Sequence, residues 1–114
     1  MRIGELSRRT GVAASRIRFY ERQAVLPTAS RCANGYREYP DTSVKTLGLI
    51  DTAQRLGFSL NEIREALSEA APNFPSHEAM ATALRSKLEA IDQHINDLQA
   101  RRSELAALLV ELEG

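Results

Sequence analysis

Between residues 16 and 39 the chain reads RIRFYERQAVLPTASRCANGYREY, where Arg16, Arg18, Arg31 and Arg37 alternate with Tyr20, Tyr36 and Tyr39. A guanidinium group is a planar fork of donors that matches phosphate oxygens or the acceptor edge of guanine, and a phenol can donate to a phosphate. Carried on a rigid helix followed by a tight turn, these groups suit a grooved polyanion, and duplex DNA is the expected ligand. The sequence holds no glycine-rich phosphate loop, no nucleophile–His–acid order and no acidic metal cluster. Neither catalysis nor a cofactor is therefore expected.

The formal charge of the whole chain is zero, which at first argues against a nucleic-acid ligand. Its distribution reverses that argument. Residues 1–60 hold ten lysines and arginines against five acids, a formal +5, whereas residues 61–114 hold five against ten, a formal −5. This is the footprint of a basic binding module joined to an acidic, solvated segment. A chain of 114 residues suits one small domain plus one extended element. No apolar run reaches membrane-spanning length and the N-terminus has no signal-peptide pattern, so no membrane partner is expected. The single cysteine excludes an internal disulfide and is compatible with a reducing compartment; a cytoplasmic, nucleoid-associated location is expected.

The elements that must position these side chains follow from periodicity. Ile3 and Leu6 give a short helix that Gly11 stops, and a second helix starts near Ala14 with Ile17 and either Phe19 or Tyr20 inward. Ser15, Arg16 and Arg18 then face outward on the second helix of a helix-turn-helix. Val25-Leu26-Pro27 closes that helix. Asn34-Gly35 suits a two-residue hairpin turn, and Tyr36 to Tyr39 supplies a strand of the resulting wing. A third helix begins after Asp41 or Thr42 as cap, with Val44, Leu47, Leu49, Ile50 and the stretch Ala53 to Leu56 on its apolar face. It ends at Gly57, and Phe58 staples the turn. Ser59 and Glu62 have capping-box spacing for a fourth helix, which buries Ile63, Ala66 and Leu67.

After a proline-interrupted linker, 71–76, one long helix is expected over 77–114. Leu84, Ile91, Leu98, Leu105 and Leu112 fall at heptad position d, and Leu88, Ile95 and Leu109 at a. The stretch 84–112 would be about 43 Å long. That is too long to bury on a domain of residues 1–70, so the expected partner is a second copy. Arg102 is the polar residue at an a position: either its stem packs and its head reaches solvent, or it sets the pairing register.

Arg18-Phe19-Tyr20-Glu21, then Arg31 and Asn34-Gly35-Tyr36-Arg37-Glu38-Tyr39, then Leu56-Gly57-Phe58-Ser59-Leu60 resemble, in this order and spacing, the MerR family of bacterial transcription regulators. The resemblance implies a mainly α fold: a winged helix-turn-helix DNA-binding domain with a second wing around residues 55–60, followed by a long dimerisation helix in an antiparallel coiled coil. It implies a homodimer on a promoter pseudo-palindrome that distorts the DNA so that RNA polymerase engages both promoter elements. Arg18 and Tyr20 match DNA-contacting positions of the second helix, with Ser15 and Arg16 at variable outward positions. Arg31, Tyr36 and Arg37 match the phosphate clamp of the wing. Tyr39 supports or touches the backbone, or is a core aromatic. Glu21 orients the neighbouring arginines, and Arg55 is either a phosphate contact or a solvated helix end.

The departures from the family pattern concern sensing. Ala13 stands where the family often has a Ser or Thr cap, and residues 76–114 lack the cysteines of metal-sensing relatives. Cys32, His77 and His94 are weak candidates for redox or metal roles, and Met80, Phe74 and Leu84 for a small apolar pocket. The rival expectations are an architectural or excisionase-like DNA-binding protein without effector sensing, and a coiled-coil protein-interaction module, which the charge split opposes.

Overall fold

The computed structural model describes residues 1–27, 29–31, 33 and 35–114; for Arg31 it describes the backbone alone. The expectations placed on Cys32, on Asn34 and on the Arg31 side chain lie outside the described residues. The chain divides into two compact units, Met1–Pro75 and Ser76–Gly114.

The first unit opens with helix α1 (Ile3–Thr10). It stops at Gly11, whose φ of +75° is left-handed and whose N–H returns to the Ser7 carbonyl, a conformation that costs a residue with a Cβ free energy. Thr10 and Ser7 lock the turn that follows: the Ser7 hydroxyl donates to the Val12 carbonyl at 2.7 Å, and the Val12 N–H to Thr10 Oγ1 at 3.2 Å. Helix α2 (Ala14–Arg22) starts at Ala13 without a side-chain cap. Its inward aromatic is Tyr20, while Phe19 stays partly exposed. Ala24 takes a φ of +56° beyond its C-terminus, which turns Val25 and Leu26 into the core.

The wing is an antiparallel pair, β1 (Ser30–Arg31) and β2 (Arg37–Glu38), with Ser30 opposite Glu38 and Arg31 opposite Arg37. The two-residue turn expected at Asn34-Gly35 lies partly outside the described residues; Gly35 carries the positive φ, +84°, that such a turn demands. The base of the wing is tied down by Met1. Its ammonium donates to the Tyr39 carbonyl (2.7 Å) and to Glu38 Oε2 (2.9 Å), and its carbonyl accepts from the Tyr39 N–H (2.7 Å).

Helix α3 (Thr42–Arg55) makes no side-chain cap at Asp41, contrary to expectation, because Asp41 is itself in helical conformation. Leu47 and Ile50 are its buried apolar residues; Leu56 is exposed. The capping box at Ser59 and Glu62 is formed and starts helix α4 (Leu60–Ala70). Ile63 is buried and Leu67 half-buried, but Ala66 faces solvent. Leu6, Ile17, Tyr20, Leu26, Tyr39, Leu47 and Ile50 form the centre of a core that α1, α2, α3 and α4 share. Lys45 sits 4.2 Å over the ring of Phe74, so the segment after α4 is held against α3.

The second unit is helix α5 (His77–Glu113), 37 residues capped by the Ser76 hydroxyl on the Ala79 N–H, and about 55 Å long. Leu84, Leu88, Ile91, Ile95, Leu98, Leu105, Leu109 and Leu112 are all exposed, from 43% at Ile91 to 86% at Leu112. Leu108 and Val110 are exposed as well; they lie outside the heptad positions and widen the apolar surface toward the C-terminal end.

Candidate nucleic-acid interface

Ser15, Arg16 and Arg18 are exposed on helix α2, whose Ile17 and Tyr20 are fully buried. Arg16 is not loose. Its Nε donates to the Tyr20 hydroxyl at 2.8 Å and a terminal nitrogen donates to Gln54 Oε1 at 3.3 Å, while Tyr20 donates to the same Gln54 oxygen at 2.7 Å. The Tyr20 hydrogen bond holds the Arg16 pKa above its ordinary value. Gln54, on α3, thereby orders an arginine on α2 and was not singled out by sequence reasoning. No local pattern marks a glutamine that acts across 34 residues.

Two of the tyrosines expected near the DNA lie inside the unit. Tyr20 and Tyr39 are 0% and 1% exposed, so their rings belong to the core, for Tyr39 the core position that was one of its two expected placements. The physical reason is that each hydroxyl finds an internal acceptor, Gln54 for Tyr20 and Glu21 for Tyr39, so neither phenol is stranded by burial. Burial and the Glu21 carboxylate push the Tyr39 phenol up to about 12.

Glu21 joins the recognition helix to the wing. Its side chain, 5% exposed, accepts from the Tyr39 hydroxyl and from the Ala29 N–H at 3.3 Å, and it pairs with Arg37 at 3.6 Å. One carboxylate therefore holds the strand on which Arg37 sits, the segment leading into β1, and the tyrosine beneath them. Arg37 remains exposed beyond this pair, so it is oriented without being consumed. The Met1 ammonium on Glu38 adds a second anchor, and that carboxylate raises the ammonium pKa.

Arg18 and Arg37 line one open groove of about 890 Å³, together with Tyr36 and with Arg2 and Arg8 of the α1 region. Tyr36 is 55% exposed, and the Arg2 guanidinium lies 4.0 Å above its ring. Neither Arg2 nor Arg8 was picked out from the sequence; their basic type was visible, but only folding places them beside the wing. Arg55 is exposed at the end of α3, with no hydrogen bond or ion pair among the described residues. The region of the expected second wing is a turn through Gly57 (φ +102°) into the capping box, without a strand among its residues. Arg64 of α4 donates to the Gln23 carbonyl at the end of α2, a favourable place for a cation.

Among the described residues no group of three His, Cys, Asp or Glu side chains could hold a metal ion, and no helix is long and apolar enough to cross a membrane.

The family model described as MerR HTH family regulatory protein matches residues 1–70, and the one described as MerR, DNA binding matches residues 44–108. The HTH-type transcriptional regulator CueR of Yersinia pestis is 37% identical over 115 residues, spanning 100% of this chain and 82% of that protein. Among solved structures, the N-terminal part of MtaN, the Bacillus subtilis multidrug transporter activator, superposes with a TM-score of 0.73 at 25% identity, over 96% of this chain and 97% of that one. HiNmlR, a MerR family regulator lacking the sensor domain and solved bound to promoter DNA, shares the fold with a TM-score of 0.61 at 20% identity, over 96% and 86% of the two chains.

Proposed function

The chain belongs to the MerR family of helix-turn-helix transcriptional regulators, and from that premise we propose that it binds a promoter pseudo-palindrome as a homodimer and regulates by distorting the DNA. The observation that carries this reading is the shared groove of Arg18 and Arg37, since it sets a recognition-helix cation and a wing cation against one stretch of ligand. Arg18, with Ser15 and Arg16 beside it, enters the major groove and contacts base edges or phosphates. Arg31, Tyr36, Arg37 and Arg55 clamp the backbone, which fixes register without reading sequence. Tyr20 and Tyr39 act from beneath by holding Arg16 and Glu21.

In this reading α5 pairs antiparallel with the α5 of a second copy, and the exposed heptad residues make such a pairing favourable. The eight heptad residues are roughly half exposed, and burying the remainder is worth about 1 kcal/mol each. Two helices together gain on the order of 15 kcal/mol, enough to offset an association cost on the order of 4–15 kcal/mol. A dimer then holds two binding faces at a fixed separation, which a pseudo-palindrome mirrors. Distortion of the DNA between the half-sites couples binding to the engagement of RNA polymerase, at an elastic cost of roughly 1–6 kcal/mol supplied by the clamp contacts. On this reading the protein acts in the cytoplasm, on the nucleoid.

The test is sequence enrichment from a random duplex library, followed by a bending assay on the enriched site. An inverted repeat and a bent complex are expected, and Arg18→Ala should cost about 1–3 kcal/mol on that site. Enriched sites without two-fold symmetry would remove the homodimer, and a straight complex would remove the distortion mechanism.

A further inference from the structure

We propose that α1 belongs to the DNA contact: Arg2 and Arg8 grip the same phosphate backbone segment as Arg18 and Arg37, and Arg2, stacked on Tyr36, positions the wing for that grip. The inference rests on the DNA-binding reading above and extends it to an element that a helix-turn-helix uses mainly for packing.

Four guanidinium groups line this groove, and the structure neutralises one of them. Arg37 has Glu21 at 3.6 Å. The two carboxylates that also line the groove are committed elsewhere, Glu38 to the Met1 ammonium at 2.9 Å and Glu5 to Arg9 at 3.5 Å. Arg2, Arg8 and Arg18 have no acidic partner among the described residues. Like charges gathered along one concave surface reinforce each other's potential and repel until an anion enters. Each of these cations therefore interacts more favourably with a bound polyanion than with the free protein around it.

The side-chain geometry agrees with a grip on phosphate. Arg8 folds back along α1, with a terminal nitrogen 3.7 Å from where a Cβ on Gly4 would stand. Gly4 itself lines the groove, so the Arg8 head lies along that wall. The guanidinium carbon of Arg2 lies 4.0 Å over the centre of the Tyr36 ring. A cation held against a ring in this way keeps N–H donors for an oxygen acceptor. It also ties the loop of the wing to the start of α1, so that the spacing of Arg37 and Arg18 across the groove is held before DNA arrives. The groove is open and flanked by the recognition helix and the wing, so the anion that fills it when those two elements dock is the DNA backbone.

The test uses the full chain and a fluorescent duplex of random sequence, because phosphate contacts are independent of base sequence. Affinity is followed over a salt series for Arg2→Ala, Arg8→Ala, Arg18→Ala and, as a charge control on α5, Arg101→Ala. Arg2→Ala and Arg8→Ala are expected each to lower the log–log salt slope by about one unit per protomer, with an unchanged thermal midpoint. Arg2→Lys should keep the slope but lose affinity, since an ammonium cannot stack as a plane on Tyr36. If Arg18→Ala lowers the slope while Arg2→Ala and Arg8→Ala behave like Arg101→Ala, the DNA reading stands and this inference is overturned. If none of the four changes the slope, the DNA reading itself fails. Inorganic phosphate titrated by NMR supplies the last arm: binding that is lost in Arg2→Ala without any change in the DNA slope means a small-anion site and also overturns the inference.

Discussion

Replacing Glu21 by alanine should unhinge the wing from the recognition helix. In the native chain this 5% exposed side chain accepts two hydrogen bonds, from the Tyr39 hydroxyl and the Ala29 N–H, and pairs with Arg37. Alanine removes two hydrogen bonds to a charged acceptor and leaves a buried phenol and a buried amide without partners. Each stranded group costs about 1–3 kcal/mol, so the expected loss is about 3–4 kcal/mol, a large part of the stability of a small domain. For a unit of this size the melting midpoint should fall by more than about 10 °C. Glu21→Gln should be milder, at about 1–2 kcal/mol, because it keeps the volume and one acceptor oxygen while turning an N–H toward one of the two donors. Measured at low temperature, where both variants remain folded, binding to random-sequence duplex should also weaken, since Arg37 loses the group that orients it. Urea denaturation followed by circular dichroism reads the first effect and fluorescence anisotropy the second. An alanine variant within about 0.5 kcal/mol of the parent would refute the reasoning, because a buried carboxylate with three partners cannot be that dispensable.

The Tyr39 phenol predicts a pH dependence with a definite sign. Its pKa is raised to about 12 in the folded chain from an ordinary 10, so the stabilisation is complete below pH 10 and is lost as pH rises from 10 to 12. The whole effect is about 2–3 kcal/mol; Tyr39→Phe should flatten that limb of the stability curve, and an unchanged limb would remove Tyr39 as its source. Gly11→Ala meets no atom within 4 Å, so its cost is the left-handed backbone alone, about 1 kcal/mol by denaturation; a neutral result would mean that the turn readjusts. Ser59→Ala should cost about 1 kcal/mol through the lost capping box, again read by denaturation. Leu98→Asp should give monomers by light scattering, and a dimer that survives it would move the pairing surface off the heptad positions.

Much of this fold is local, and local features were readable. Apolar spacing marked the helices, with α2 starting at Ala14 and α5 just after Ser76. Gly11 and the Ser59–Glu62 box act within one turn of the chain, and effects confined to one turn are written in adjacent residues. Outward Arg18 follows from inward Ile17 and Tyr20 by helical geometry alone. The hairpin was legible in kind, but its register was not, because where the ladder closes depends on strand partners and on Met1 holding Tyr39.

The two tyrosines show where the sequence runs out. Tyr20, Tyr36 and Tyr39 are one residue type within twenty positions, yet one ring lies in the groove and two lie in the core. A phenol is equally satisfied by a phosphate oxygen or by a buried carboxylate or amide, so its chemistry does not choose. The choice was made by Gln54 and Glu21, 34 and 18 residues from their partners. The basic groove has the same origin. The identities and sign of Arg2, Arg8, Arg18 and Arg37 belong to the linear chain, but their convergence on one surface, with the lining acids Glu5 and Glu38 spent on other cations, exists only once α1, α2 and the wing have packed.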